Sequence, residues 1–154
     1  MSVAPRPDIQ PVAEDAVLLS FGDAIDPALT PVITAWCGAI RQCLGDSVTD
    51  LVPSYASITV YYDPLSSDFR YIISRLRSIS DNISEQADPA AARSLELPVW
   101  YHPSVGPDLE SLAKACELTV DQVIERHVAT AYQVYALGFS PGFGFMGLLD
   151  PAIA

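Results

Sequence analysis

"SITVYYDPLSSDFRYIISRLRSIS", residues 57–80, passes within one short stretch from the apolar period of a β-strand to that of a helix. Its first part has apolar side chains at Ile58, Val60 and Tyr62, and this spacing of two predicts a half-buried strand. Ser67 and Asp68 then supply the start of a helix. The apolar positions that follow are spaced three and four residues apart, at Phe69, Ile72, Ile73, Leu76 and Ile79. The stretch therefore predicts a sheet that carries at least one amphipathic helix.

The residues before this stretch predict a strand, a helix and a second strand. "AVLLSFG", residues 16–22, is a short apolar run closed by glycine and suits a buried strand. A helical stripe of apolar residues then continues to Gly45, beginning either at Asp26 with Pro27 or at Thr30 with Pro31. "SVTDLVPSY" is rich in β-forming residues and should pair with the strand that follows it. Residues 1–15 hold prolines and acids, so we expect them to form a loose, disordered tail.

A fourth strand is predicted in "LELPVWYH", residues 95–102. The element order is then β-α-β-β-α-β, which is the ferredoxin-like arrangement of the α+β class. In that arrangement an antiparallel four-stranded sheet carries both helices on one face. We expect residues 16–138 to form this domain together with an added helical pair and a further strand.

The helical pair is predicted over residues 107–129, where Thr119 and Gln122 match a capping box. "AYQVYALGF" supplies the further strand. It leads into residues 139–154, which we expect to form a loop rich in glycine and phenylalanine.

Composition excludes several classes of function. Eight basic against 19 acidic residues give a formal net charge of −11, which repels phosphate backbones and anionic lipids, so we expect neither nucleic acid nor membrane as a partner. No apolar run approaches the roughly 20 residues needed to cross a bilayer, and the N-terminus lacks the apolar segment of a signal peptide. We expect a cytoplasmic protein.

The three cysteines, Cys37, Cys43 and Cys116, form no CxxC pair and predict neither a metal site nor a disulfide framework. Cys37 falls among apolar helical positions, which favours a buried hydrophobe over a nucleophile. The sequence also lacks a P-loop, a nucleophile elbow and a carboxylate pair. Catalysis by this chain alone is therefore not expected.

Two features remain as candidate sites. His127 ends a short predicted helix, where it serves either as a general acid or base or as a cation at the helix C-terminus. The loop after Gly138 is either a cradle of backbone N–H groups for a phosphate or, more in keeping with its phenylalanines, a packed connection or interface.

The same residues carry a resemblance to a known family. "GPDL" at 106–109, His127, Tyr132, "GFSPGF" at 138–143 and "LDP" at 149–151 match its pattern. The chain resembles the N-terminal part of the KipI family, also called allophanate hydrolase subunit 1 or the B-type subunit of 5-oxoprolinase. It departs from the pattern at residues 145–148, where "FMGL" replaces the family's Tyr-Leu-Gly-Gly.

The resemblance implies a set of functional residues and partners. It makes His127 the candidate catalytic residue. It implies a binding or interface role for Tyr132, Gly138, Phe139, Pro141, Gly142 and Phe143. The resemblance also implies that the loop of residues 139–154 leads to the family's cyclophilin-like β-barrel, a second domain that is not within these residues. We expect this chain to bind no cofactor or metal itself.

The family's activity is ATP-dependent opening of 5-oxoproline to glutamate, and relatives occur within urea-processing carboxylases. This chain would then act with a homologous partner subunit and a catalytic 5-oxoprolinase subunit, with ATP used by the whole complex. The alternative is a regulatory protein that inhibits a sensor histidine kinase. Without its partners the chain would self-associate through residues 139–149.

Overall fold

The structure is a computed structural model that describes residues 6–83 and 94–154. The strands are β1 (Asp8–Ala13), β2 (Ala16–Ser20), β3 (Val48–Pro53), β4 (Ser57–Tyr62), β5 (Gln133–Leu137) and β6 (Gly144–Gly147). The helices are α1 (Leu29–Leu44), α2 (Phe69–Asn82), α3 (Leu109–Ala115) and α4 (Val120–Ala129). Their contacts group residues 6–83 with 135–145 in one unit, and residues 94–134 with 146–154 in another.

The first unit is built on an antiparallel four-stranded sheet in the order β1-β2-β4-β3. In the centre of the sheet, Leu19 of β2 lies opposite Ile58 of β4. Alternate residues of these strands form one buried cluster with α1 and α2, which includes Trp36 and Leu76. The α+β class, and the packing of two amphipathic helices on the sheet, are as predicted.

Local hydrogen bonds explain where the two helices of this unit begin. The Asp68 carboxylate accepts the Arg70 N–H at 2.6 Å, so of the two residues predicted to start the helix, Ser67 and Asp68, it is Asp68 that caps α2. Before α1, the Asp26 carboxylate accepts the Ala28 N–H at 2.8 Å and orders the preceding turn. The helix itself begins at Leu29, between the two predicted starts.

The edge strand next to β2 differs from the prediction. Residues 8–13 form β1 rather than a disordered tail, and β1 lies where the ferredoxin-like order places its fourth strand. Residues 95–102 form no strand, and the side chains of Val99 and Trp100 are exposed. The observed order over residues 6–83 is therefore β-β-α-β-β-α.

Chain connectivity gives the physical reason. A two-residue turn joins β1 to β2, so this hairpin closes with little loss of chain entropy. A pairing of residues 95–102 with β2 would have to close a far longer loop.

The second unit has a small core in which Ala113, Val123 and Ile153 are buried. The predicted capping box is confirmed, because Thr119 Oγ1 accepts the Gln122 N–H at 3.2 Å and Gln122 Oε1 accepts the Thr119 N–H at 2.9 Å. The turn between α3 and α4 is therefore held by side chains at the start of α4.

β5 and β6 form a two-stranded sheet. β5 lies within the predicted further strand, whereas β6 was expected to be loop. Residues 135–145 group with the sheet unit, so the expected division at residue 138 does not coincide with the observed one. None of the helices in the described ranges is long and apolar enough to cross a bilayer.

Candidate functional site

His127 lies in the last turn of α4, between two tyrosines of the same unit. The Tyr101 hydroxyl lies 2.5 Å from His127 Nδ1, and the two rings meet edge to face with centroids 5.7 Å apart. The Tyr132 hydroxyl donates to the His127 backbone carbonyl at 3.1 Å. Its ring lies 5.2 Å from the imidazole. The imidazole is thus held at a nitrogen and contacted by a second ring.

Tyr101 is a neutral phenol in this setting. Its partial burial raises the pKa of the Tyr101 hydroxyl, and Tyr132 raises that pKa further. At neutral pH the hydroxyl therefore keeps its proton and can serve as a hydrogen-bond donor.

A second polar contact of α4 involves the residue next to His127. Arg126 Nη1 lies 3.1 Å from Asp150 Oδ2, and the other oxygen of Asp150 accepts the Ala152 N–H at 2.8 Å. The Ala152 hydrogen bond is the main cause that lowers the pKa of the Asp150 carboxyl, and Arg126 lowers it further. These contacts hold residues 150–153 against α4, and Ile153 is buried in the small core of the second unit.

Residues 138–143 form one tight reversal of the chain. The Ser140 N–H donates to the Gly138 carbonyl at 2.8 Å across Phe139, whose φ is 65°. A bond of this span over a residue with positive φ is typical of the rare, strained γ-turn. The Phe143 N–H donates to the Ser140 carbonyl at 3.0 Å and closes a β-turn. Its two central residues are Pro141 and Gly142, and the φ of 80° at Gly142 suits a type II turn.

This geometry disfavours the phosphate cradle. The N–H groups of Gly138, Ser140 and Phe143 all donate to carbonyls inside the reversal, and Pro141 has no N–H. Few backbone donors therefore remain to hold an anion.

The reversal instead displays phenylalanine side chains. Phe139 is 95% exposed and Phe143 is 48% exposed. Edge-to-face contacts link the rings of Phe139 and Phe143 at 5.8 Å, and those of Phe143 and Phe145 at 5.1 Å. We call Phe139, Phe143 and Phe145 the aromatic ladder. A ladder with this exposure is suited to contact another protein surface.

The structure therefore arranges the predicted site residues in two sets. His127 and Tyr132 come together in the second unit. Gly138, Phe139, Pro141, Gly142 and Phe143 share the reversal in the first unit. Tyr101 and the ion pair of Arg126 with Asp150 were not identified from the sequence, because no local spacing connects residues so far apart in the chain.

Among the residues that the structure describes, the other reactive side chains form no metal-binding cluster and no reactive cysteine site. In the parts of the chain that the structure describes, no three His, Cys, Asp or Glu side chains are placed to hold a metal ion. Cys37 is buried, and this burial raises the pKa of its thiol although Arg41 opposes the effect. Burial and a raised pKa both favour the unreactive thiol, as expected for a core residue.

Comparison with known proteins agrees with the pattern of residues noted in the sequence. The family model described as "Carboxyltransferase domain, subdomain C and D" matches residues 7–154. The chain is 30% identical over 161 residues to the B-type subunit of 5-oxoprolinase from Bacillus subtilis (strain 168), covering 97% of this chain and 66% of that protein. It is 34% identical over 140 residues to the same subunit from Escherichia coli O157:H7, covering 90% and 62%. The chain thus spans just under two thirds of the length of these relatives.

The fold also matches a solved structure. The crystal structure of TTHA0988 superimposes with a TM-score of 0.72 at 28% identity, over 90% of this chain and 26% of that one. The resemblance to the B-type subunit of 5-oxoprolinase, inferred from the motifs between Gly106 and Pro151, is confirmed.

Proposed function

We propose that this chain forms part of a subunit of an ATP-dependent 5-oxoprolinase complex. The chain belongs to the family described as carboxyltransferase domain, subdomain C and D. The observation that carries the proposal is the similarity to the B-type subunit of 5-oxoprolinase, which extends over 97% of the chain. The complex would act in the cytoplasm.

The proposed reaction adds one water across the lactam amide bond of 5-oxoproline and yields glutamate. A second water is consumed as ATP is hydrolysed to ADP and phosphate. The sequence has no P-loop, so we assign ATP to another subunit of the complex. This chain would contribute His127 with its two tyrosines as a polar site, and the aromatic ladder as a contact surface.

The aromatic ladder supports the partner part of the proposal. Exposed aromatic side chains are enriched at protein interfaces, where they bury much apolar area at a low cost in side-chain entropy. Gly142 and the hydrogen bonds of the reversal present these rings on a closed backbone turn. We propose that the ladder contacts the homologous partner subunit or the catalytic subunit.

A binding experiment tests this proposal. The full protein carrying this sequence is immobilised, and a lysate containing the other 5-oxoprolinase subunits and histidine kinases is passed over it. We expect the two subunits to be retained. Retention of a histidine kinase without either subunit would contradict the proposal and favour the regulatory alternative.

A matched pair of variants locates the contact. The double variant Phe139→Ser/Phe143→Ser should bind the subunits at least tenfold more weakly. This loss corresponds to about 1.4 kcal/mol of binding free energy. Leu65→Ser is the control, because Leu65 is also an exposed apolar side chain, at 96%, but lies outside the ladder. Equal capture by both variants would show that the ladder is not the contact.

A further inference from the structure

We infer that Tyr101 is a positioning residue that holds His127 as the neutral tautomer with its proton on Nε2, so that His127 offers an N–H donor to a carbonyl or carboxylate oxygen of a ligand. The identity of that ligand rests on the proposed function, since 5-oxoproline carries both kinds of oxygen. The tautomer itself follows from the contacts of the ring.

The first step concerns the direction of the hydrogen bond between Tyr101 and His127. Their polar atoms lie 2.5 Å apart, so one of them must donate to the other. A phenolic O–H is the more acidic donor, and a neutral imidazole offers one nitrogen as an acceptor. The favoured arrangement therefore has the Tyr101 O–H donating to Nδ1. In a neutral ring this leaves the proton on Nε2.

The second step concerns the other tyrosine. Tyr132 donates its hydroxyl proton to the His127 backbone carbonyl at 3.1 Å. It is therefore not the donor to the ring, and the hydrogen bond from Tyr101 alone selects the tautomer. The hydrogen bond from Tyr132 fixes the backbone of the same residue.

The third step concerns the free nitrogen. Within the described residues, Nε2 of His127 has no hydrogen-bond partner. The buried side-chain nitrogen and oxygen atoms that lack a partner there are Trp36 Nε1, Arg75 Nε and Tyr135 Oη. Nε2 is not among them, and His127 is half-buried rather than buried, which leaves its imidazole partly open to solvent. The hydrogen bond at Nδ1 fixes the orientation of the imidazole ring. An Nε2–H on a ring held in this way is suited to donate to an acceptor atom of a ligand.

Nuclear magnetic resonance tests the tautomer directly. The chain has two histidines, so the ring nitrogen signals of His127 are assigned by comparison with His102→Gln. Above the titration range of histidine, we expect the Nε2–H form to predominate. Tyr101→Phe should shift the population toward a mixture of tautomers.

Tyr71→Phe is the control for that experiment, because it removes the hydroxyl of another tyrosine, which is exposed on α2 and is not among the ring partners of His127. A predominant Nδ1–H form in the unchanged protein would overturn the inference. So would a tautomer population that Tyr101→Phe leaves unaltered while the protein stays folded.

A second experiment tests the role of the donor in the assembled complex. His127→Gln keeps an N–H group close to the position of Nε2, whereas His127→Leu removes it. We expect KM for 5-oxoproline to rise about fivefold or less in the Gln variant, within the range of one ordinary hydrogen bond, and clearly more in the Leu variant. Equal losses in the two variants would overturn the donor role. Absence of activity in the unchanged complex would contradict the proposed function, whereas the tautomer would still be decided by the resonance experiment.

Discussion

Tyr101 and His127 lie 26 positions apart, yet their polar atoms meet at 2.5 Å. His127 and Tyr132 were identified from the sequence because they fall in a motif that the family shares. Tyr101 was not, because it lies in an apolar run that predicts a strand, where an outward tyrosine needs no partner. A contact between residues of two separate segments leaves no periodic signal in either of them.

At the same scale, Asp150 gives a prediction about pH. Its pKa is lowered in the folded chain, so its contribution to stability is present above the ordinary aspartate pKa of about 3.9 and is lost as the pH falls through the folded value. Asp150→Asn should therefore lower the melting temperature at neutral pH, and the difference from the unchanged protein should shrink in acid. Thermal unfolding at several pH values measures this.

Asp46→Asn is the control for this experiment, because it removes an exposed carboxylate that makes no ion pair in the described residues. It should change the melting temperature little at any pH. A difference between Asp150→Asn and the unchanged protein that grows as the pH falls would contradict the assigned role of Asp150.

At the scale of elements, the sequence predicted the helices and central strands and misplaced one edge. α1, α2 and β4 have clear periods because each buries one face against the same core. β1 has no such period. Ile9 is the partly buried apolar residue of β1 that packs on that core, and the other residues of the strand are exposed. Residues 95–102 resemble a strand in composition, but β1 occupies the edge beside β2.

β1 gives a prediction for the first unit. Ile9→Ala should destabilise the sheet by about 1 kcal/mol, because Ile9 packs against the main core. Val12→Ala is the matched control, since Val12 lies in the same strand with its side chain exposed. Urea unfolding measures both. If the two variants unfold at the same midpoint, or if amides 8–13 exchange like those of an unfolded chain, β1 does not form in solution.

The aromatic ladder gives a second prediction at this scale. Separated from its partners, the chain should self-associate through residues 139–149, because burial of apolar surface stabilises contact by about 25 cal/mol per Å². The double variant Phe143→Ser/Phe145→Ser should lower the average mass measured by light scattering. Its helical circular dichroism signal should stay unchanged. A chain that is monomeric at high concentration, with the loop amides unprotected from exchange, would contradict this.

At the scale of the whole molecule, the net charge and the exposed aromatic ladder agree with the proposed role in a complex of proteins. The net charge of −11 disfavours nucleic acid and anionic membranes, and the described residues form no metal-binding cluster. Under the proposed function, this chain would contribute a polar site around His127 and the exposed aromatic ladder to that complex. Its relatives among the B-type subunits of 5-oxoprolinase are longer than the part that matches it.

The most direct test of the proposed function is the rate of ADP formation that depends on added 5-oxoproline. The homologous partner subunit and the catalytic subunit are mixed with ATP, with and without the full protein carrying this sequence. We predict 5-oxoproline-dependent ADP formation, with a matching yield of glutamate, only when that protein is present. The same rate with and without it would contradict the proposed function, and so would no 5-oxoproline-dependent rate in the complete mixture.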